Sequence, residues 1–392
     1  MYLNLPVGHL HGWGICGKWL SRELAGLRPV QLITKPFTLT DAGDVESYRI
    51  LRRLCVEALK TPVSGERIEL PGSLFQSICD ETLAPYRPDL KARLQVGYTF
   101  FERNILCPRW IENGRRFDRV VTGSTWCADV LLAHGLTTVN TVIQGTDPTV
   151  FKPAPAERGF DPHKFVIFSG GKFELRKSQD IVIRAFKVMQ ESYKDVLLVV
   201  SWFNPWPQTM NTMCESTLIK FQMGDKIQTD MFLRILVDNG IKPENVICLP
   251  PQPPQRMAKI YRSTDVGLFP NRCEGGSNLV LMEYMACGKP VIATFSTGQR
   301  DVLRDGNALL IHTNREKTYS FAGTPVAQWP EPDLDDVIEK LRWAYENRTK
   351  LHSLGVAAAM DLSQCTWRAS AEKINAIIAG MESALDQNAD SL

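Results

Sequence analysis

The chain has 392 residues, too long for one ordinary core and about right for two domains. At 44% hydrophobic and 22% charged residues it reads as a soluble globular protein, and a net charge of only +2 argues against a nucleic-acid partner, for which a strong basic excess is expected. The longest apolar stretch, around Val196 to Phe203, is far short of a membrane span. The N-terminal segment opens apolar and Gly-rich without lysine or arginine, so no cleavable signal is expected. The ten cysteines are scattered without a C-x-x-C pair, so neither zinc nor a disulfide framework is expected and a reducing cytoplasm fits best.

In chain order, short apolar runs alternate with helical patterns, which reads as α/β with mainly parallel sheets. The first unit is a strand over Tyr2–Pro6, a glycine-punctuated loop, a helix over Gly17–Leu27 and a strand over Val30–Thr34. Strands are next expected at Leu94–Phe101 and Asp118–Thr122. Then come a helix capped by Ser124 and closed at Gly135, and a strand over Val139–Ile143. The segment Phe151–His163, with Pro153, Pro155 and Pro162, reads as a linker. A second αβ series restarts at Phe165–Phe168 and continues with strands at Val196–Val200, Val246–Leu249, Val266–Pro270 and Val291–Thr294. The irregular stretch Asn204–Lys226 is left without an assignment. Two doubly wound halves on a Pro-rich hinge leave one cleft at the carboxyl ends of both sheets.

The strongest chemical signal is Glu274-Gly275-Gly276-Ser277-Asn278-Leu279-Val280-Leu281-Met282-Glu283. A loop of small residues after a strand runs into a helix beginning near Leu279, whose free N–H groups and dipole suit a diphosphate. Glu283 then sits in an otherwise apolar helix, where an ionised carboxylate needs donors. Ribose hydroxyls would serve, and a buried bond to backbone or to an arginine is the alternative. The block resembles the acidic motif of retaining glycosyltransferases of the large family 4, with one more residue between the two glutamates than is usual there. The resemblance implies that Glu274 contacts hydroxyls of the donor sugar. It also implies that the loop Gly275, Gly276 and Ser277 and the N–H groups near Asn278, Leu279 and Val280 hold phosphate, and that Glu283 binds the ribose.

A second signal, Ser169-Gly170-Gly171-Lys172-Phe173-Glu174-Leu175-Arg176-Lys177-Ser178, lies where the second domain's first strand meets its first helix. Glycines there allow close backbone approach, and lysines beside a diphosphate neutralise charge that grows as the nucleotide leaves. It is similar to the family's basic pair, which implies that Gly171, Lys172 and Lys177 meet the donor phosphates. Lys177 is read as a loop-exposed residue just before the helix N-cap Ser178, and Arg176 as pointing outward.

In the first domain, Gly12-Trp13-Gly14-Ile15-Cys16-Gly17 is a literal G-x-G-x-x-G. It raises a rival reading, a nicotinamide-dependent dehydrogenase. No acidic residue follows at the end of the second strand, Gln31-Leu32-Ile33-Thr34-Lys35, until Asp41. The resemblance instead makes this loop the floor of the cleft, with Gly14 beside the donor and His11 and Trp13 as acceptor contacts. Where many family members have a functional histidine, this chain has Tyr98-Thr99-Phe100-Phe101-Glu102. Glu102 is the catalytic candidate there, and a surface salt bridge with a nearby arginine is the alternative. The turn Gly145-Thr146-Asp147 also resembles the family's hinge-side signature.

Asp333-Leu334-Asp335 is a D-x-D such as metal-dependent enzymes use, but it follows Pro332 and opens a helix over Val337–Glu346, so acidic residues at a helix start explain it. No metal or cofactor is expected. Cys287 is expected to pack beneath its helix end.

The resemblance implies a GT-B architecture of two Rossmann-like domains. Residues 1–155 form the acceptor side, 156–364 the donor side, and 365–392 a terminal helix, from Trp367, crossing back to the first domain. The activity implied is transfer, with retention and without metal, from a nucleotide-diphosphate sugar to a hydroxyl of a glycan, lipid-linked sugar, protein or small molecule. A related GT-B phosphorylase or epimerase, or a non-catalytic nucleotide-sugar binding protein, is the alternative. The arginines Arg103, Arg109, Arg115, Arg116 and Arg119 either face an anionic acceptor or lipid head group at a membrane surface, or form a solvated face.

Overall fold

The computed structural model describes residues 1–59, 67–155, 159–224, 228–321 and 323–390. The chain divides into two compact units, one of Met1–Gly145, Ala322–Ala327 and Cys365–Leu392, the other of Thr146–Phe321 and Gln328–Gln364. Residues 146–155, expected with the first domain, therefore group with the second. Within the expected linker, 156–158 lie outside the described residues, as do 225 and 226 of the unassigned stretch.

The first unit opens with β1 (Tyr2–Asn4), α1 (Gly12–Ala25), β2 (Gln31–Ile33), α2 (Leu39–Ala42) and α3 (Val45–Leu54). It continues with β3 (Ile68–Ser77), β4 (Leu90–Thr99), α4 (Pro108–Gly114), β5 (Arg119–Thr122), α5 (Thr125–Ala133) and β6 (Val139–Thr141). Its strands form a parallel sheet in the order β2-β1-β3-β4-β5-β6. The sequence reading has no counterpart to β3, because Pro71 and Gly72 interrupt its apolar pattern. The strand accommodates them with a register shift between Leu70 and Ser73 and a Gly72 φ of +95°; bulges tolerate proline for this reason. Ser124 caps α5 as expected, its Oγ accepting from Cys127 N at 3.2 Å, and Gly135 follows with φ +81°.

The helix α1 starts at Gly12, not Gly17. Its N-cap is His11, whose Nδ1 accepts from Gly14 N–H at 3.1 Å. The G-x-G-x-x-G glycines thus lie within the helix and seat it on its own lead-in chain. A Cβ on Gly14 would fall 2.7 Å from Gly8 Cα, and one on Gly17 would fall 1.8 Å from Pro6 O.

The second unit runs β7 (Phe165–Lys172), α6 (Gln179–Ser192), β8 (Val196–Phe203), α7 (Gln228–Asp238), β9 (Val246–Cys248), α8 (Pro254–Arg262) and β10 (Val266–Phe269). Then come α9 (Leu279–Ala286), β11 (Val291–Thr294), β12 (Leu309–Ile311), a hairpin of β13 (Thr313–Phe321) and β14 (Thr324–Pro332), α10 (Leu334–Glu346) and α11 (Arg348–Leu362). The last helix, α12 (Trp367–Asp390), groups with the first unit and packs on α1. Arg28 there forks onto Glu382 at 2.9 and 3.0 Å.

The second sheet has the order β12-β11-β10-β7-β8-β9. Phe165, Ile167, Leu198, Val199, Val266, Leu268, Val291 and Ile292 are almost wholly buried, as expected for parallel strands covered on both faces. Each such side chain contributes about 1.5–3 kcal/mol of burial energy. The strand order reverses between β7 and β10, so the chain leaves these neighbours in opposite directions and opens a crevice at their carboxyl ends.

The hairpin β13–β14 and the edge strand β12 are absent from the sequence reading, and α10 begins at Leu334, earlier than the expected Val337. Asp333 is its N-cap, with Oδ1 accepting from Asp335 N–H at 2.9 Å. Part of the unassigned stretch is a 3-10 helix over Pro207–Glu215. Among the described residues no helix is long and apolar enough to cross a membrane.

Candidate active site

The first motif of the second half spans the end of β7 and the turn after it, and the second follows β10; these two strands flank the crevice. The strand β7 reaches further than expected and includes Ser169, Gly170, Gly171 and Lys172. Gly170 lies under α9: a Cβ there would approach Val280 Cγ1 to 3.0 Å. Gly171 has φ +118° with open space on its Cβ side. The backbone at the end of β7 therefore lies beside the N-terminus of α9.

Asn278, with φ +63°, caps α9; its Oδ1 accepts from Leu281 N–H at 3.4 Å and its Nδ2 donates to Gln299 Oε1 at 2.9 Å. Leu279 and Val280 are the first two helical residues, so their N–H groups have no intrahelical acceptor and point along the positive end of the dipole. The preceding loop is held from the other side. Glu274 N–H donates to Thr297 Oγ1 at 3.0 Å, and Gly298 N–H donates to Glu274 O at 2.9 Å. A Cβ on Gly298 would meet Gly276 O at 1.9 Å.

Lys177 ends a short 3-10 turn, Leu175–Lys177, ahead of Ser178. It is not loop-exposed: its side chain is 11% accessible and its Nζ lies 2.5 Å from Glu274 Oε1. Burial lowers the Lys177 pKa against the pull of Glu274. Arg176 does not point outward either. It bridges two carboxylates, with Nη2 2.7 Å from Glu174 Oε1 and Nη1 3.3 Å from Glu274 Oε2. Asn271 Nδ2 also donates to Glu274. Lys172 Nζ lies 3.2 Å from Glu174 Oε1 and 5.1 Å from the Trp206 ring centroid. Burial works to raise the Glu174 pKa, but Arg176, Lys172 and Lys177 hold it below the usual carboxylate range.

Beneath this cluster lies Arg272, which the sequence reading passes over. Its guanidinium is buried and forks onto Asp180 at 2.8 and 3.0 Å and onto Glu331 of β14 at 2.7 and 2.8 Å. It also donates to Leu175 O at 2.9 Å, and its N–H and that of Cys273 donate to Arg176 O. Arg272 therefore ties the Glu274 loop to the Lys177 turn. An arginine two residues before the motif carries no local signal for this; its partners come from α6 and a hairpin far along the chain.

Glu283 is half-buried on α9, with Oε2 accepting from Tyr261 OH at 3.3 Å. Its bonding partner is thus a phenol, neither backbone nor arginine. Burial and then Asp147 push its pKa up, against the Tyr261 hydrogen bond, to about 8. Cys287 is buried at the end of the same helix.

The first unit gathers its candidates separately. Trp13 stacks on Phe100 with centroids 4.1 Å apart and planes 20° apart, and meets Tyr98 edge-on at 6.0 Å. Gly14 has its N–H on His11 and its Cβ side against Gly8. His11 is part of the α1 cap, with Nε2 3.3 Å from where a Gly8 Cβ would stand. Glu102 follows β4, half-buried. Of the arginines, Arg103 pairs with Glu81 at 2.6 Å and Arg115 donates to Gly135 O at 3.3 Å.

Two doubly wound parallel sheets, the second with a basic cluster beside its reversal point, define a pair of Rossmann-like units of the GT-B class. Residues 151–322, within the second half of the chain, match the family described as Glycosyl transferases group 1. The D-inositol 3-phosphate glycosyltransferases of Rhodococcus erythropolis and Rhodococcus jostii are 29% and 27% identical to it over 52% of this chain. The matches span only 45% and 44% of those proteins. Among solved structures, sucrose-phosphate synthase from Thermosynechococcus elongatus superposes with a TM-score of 0.67 at 14% identity, over 98% of this chain and 99% of that one. Anabaena HepE, in complex with UDP and glucose, gives 0.59 at 14% identity, over 97% and 99%. These likenesses establish the GT-B fold.

Proposed function

We propose that the chain is a retaining glycosyltransferase that takes a sugar from a nucleotide-diphosphate donor and passes it to an acceptor hydroxyl without a metal ion. The observation that carries this reading is the convergence of Lys172, Arg176 and Lys177 with the N-terminus of α9 and Glu274 in the crevice between β7 and β10. A diphosphate would lie against these cations and the N–H groups of Leu279 and Val280, with Glu274 toward the donor sugar and Glu283 toward the ribose. The acceptor oxygen bonds to the anomeric carbon as the bond from that carbon to the phosphate breaks, on the same face, and the acceptor proton passes to the departing phosphate oxygen. Negative charge grows on that oxygen, and preorganised cations stabilise it most at that point. They supply the neutralisation that a divalent ion supplies in D-x-D enzymes. On this reading Trp13, His11 and Glu102 belong to the acceptor side. The relatives' name, D-inositol 3-phosphate glycosyltransferase, supports including phosphorylated polyols among the acceptors tested.

The test is a thermal-shift panel of UDP, GDP, ADP, CDP and dTDP in buffer containing EDTA, followed by turnover of the matching nucleotide sugars. A nucleotide at a hundred times its Kd adds about 2.7 kcal/mol of stability, a readily measured rise in Tm. Turnover in the presence of chelator is expected. If NAD raised Tm while no nucleoside diphosphate did, the reading would be wrong; turnover abolished by EDTA and restored by manganese would overturn its metal-independent part.

A further inference from the structure

Glu174 has no part in the donor contacts above, yet it is buried against the basic cluster almost as deeply as Glu274. Its side chain is 7% accessible, Arg176 Nη2 lies 2.7 Å and Lys172 Nζ 3.2 Å from its Oε1, and that oxygen nevertheless accepts no well-aligned hydrogen bond. Its backbone N–H is taken by Gln179 Oε1 at 3.2 Å, which fixes it at the turn between β7 and α6. A buried acceptor held by charge alone is costly unless the charge itself has a use.

We infer that Glu174 is a permanent counter-ion that weakens the grip of the basic cluster on a diphosphate, so that the nucleotide product can leave. The inference rests on the donor-site reading above. Without ligand, three cations, Lys172, Arg176 and Lys177, face two carboxylates, Glu174 and Glu274. Both carboxylates occupy positions around the cations that phosphate oxygens would otherwise take. When a nucleotide sugar binds, Glu274 turns from Lys177 toward the sugar hydroxyls and Lys177 toward phosphate. Glu174 has no sugar hydroxyl to turn to, so it stays on Arg176 and Lys172 and continues to neutralise one of the three cations. The diphosphate then meets a net charge of two instead of three. Glu174 is a positioning residue on this account: it acts through Arg176 and Lys172 and touches no reacting atom.

The alternative is that Glu174 merely holds Arg176 in place, and the two accounts predict opposite signs. Binding of UDP, and of the other nucleoside diphosphates, is measured by calorimetry and stopped flow for the wild type and Glu174→Gln at low and high salt. Removing a unit charge several ångströms from the phosphates changes the affinity by about tenfold at an effective dielectric constant near 20, after screening. The variant is expected to bind about tenfold more tightly, with the gain in slower dissociation, and to weaken more steeply with salt. Equal or weaker binding by Glu174→Gln overturns the inference while leaving the donor site standing. A wild type that binds none of the nucleotides overturns the donor-site reading itself, and this inference with it. Should Glu174→Gln fail to fold, Glu174→Asp withdraws the carboxylate by one methylene; a smaller gain in affinity supports the inference, and no gain refutes it.

Discussion

The pH dependence of nucleotide affinity tests the assignment of Glu283 most sharply. Its carboxyl is pushed up to about 8 by burial and by Asp147, against one hydrogen bond from Tyr261. At pH 7 it is therefore largely protonated. Ribose hydroxyls would donate to the ionised form and favour it, so nucleotide binding should pull the pKa down and release a proton. Affinity is then expected to rise with pH by up to tenfold per unit below 8 and to level off above it, since one pKa unit corresponds to about 1.4 kcal/mol. The effect on stability runs the other way. A carboxyl whose folded pKa is raised contributes most below its unfolded value, near 4.5. That contribution is lost, by up to about 1.4 kcal/mol per unit, as pH rises toward 8. The free protein should soften over the interval in which the nucleotide binds better. Calorimetric titration of UDP from pH 6 to 9, in buffers of different ionisation enthalpy, reads both the affinity and the proton release. Free nucleoside diphosphate itself titrates near pH 6, as phosphate monoesters do at about that value, so Glu283→Gln supplies the baseline. The variant should be weaker than the wild type by about ten- to a hundredfold above pH 8, and the gap should close toward pH 6. A constant ratio of the two affinities across this range would refute the ribose assignment.

The remaining expectations concern the cluster itself. Lys177→Met should lower turnover by about a hundred- to a thousandfold, more than it lowers UDP affinity. Because Lys177 is buried against Glu274, a fall in Tm is expected as well; near-normal turnover would remove Lys177 from catalysis. Glu274→Gln should bind UDP almost normally and lose turnover of the nucleotide sugar, and equal losses for both would place Glu274 away from the sugar. Arg272→Met leaves Asp180 and Glu331 without their shared cation, a change worth about 3–5 kcal/mol of stability. Denaturant unfolding should show it, and a loss under about 1 kcal/mol would mean that the two carboxylates find other partners.

Much of this protein was legible in its sequence because it depends on local chemistry. Apolar runs buried on both faces marked most strands of the second sheet, and Ser124 and Gly135 stood at the helix ends that their backbone preferences dictate. The two chemistry-bearing motifs were visible as loops between strand and helix. What sequence could not supply was everything that depends on partners distant along the chain. His11 is a poor cap by composition, and the glycines point to a helix start at Gly17, five residues beyond the observed one, although they in fact seat α1 on Pro6 and Gly8. The strand β3 hid behind Pro71 and Gly72, which only a paired neighbour with a shifted register can absorb. Arg176 and Lys177 resemble solvated residues in the linear text. They are drawn inward because β7 and β10 lie side by side with the chain leaving in opposite directions, which sets Glu274 within 3.3 Å of both. The buried Arg272 between Asp180 and Glu331 follows from the same folding. Periodicity reports which face of an element is apolar; only tertiary packing decides which charges must meet, since a charge taken out of water needs a partner that the rest of the chain has to bring to it.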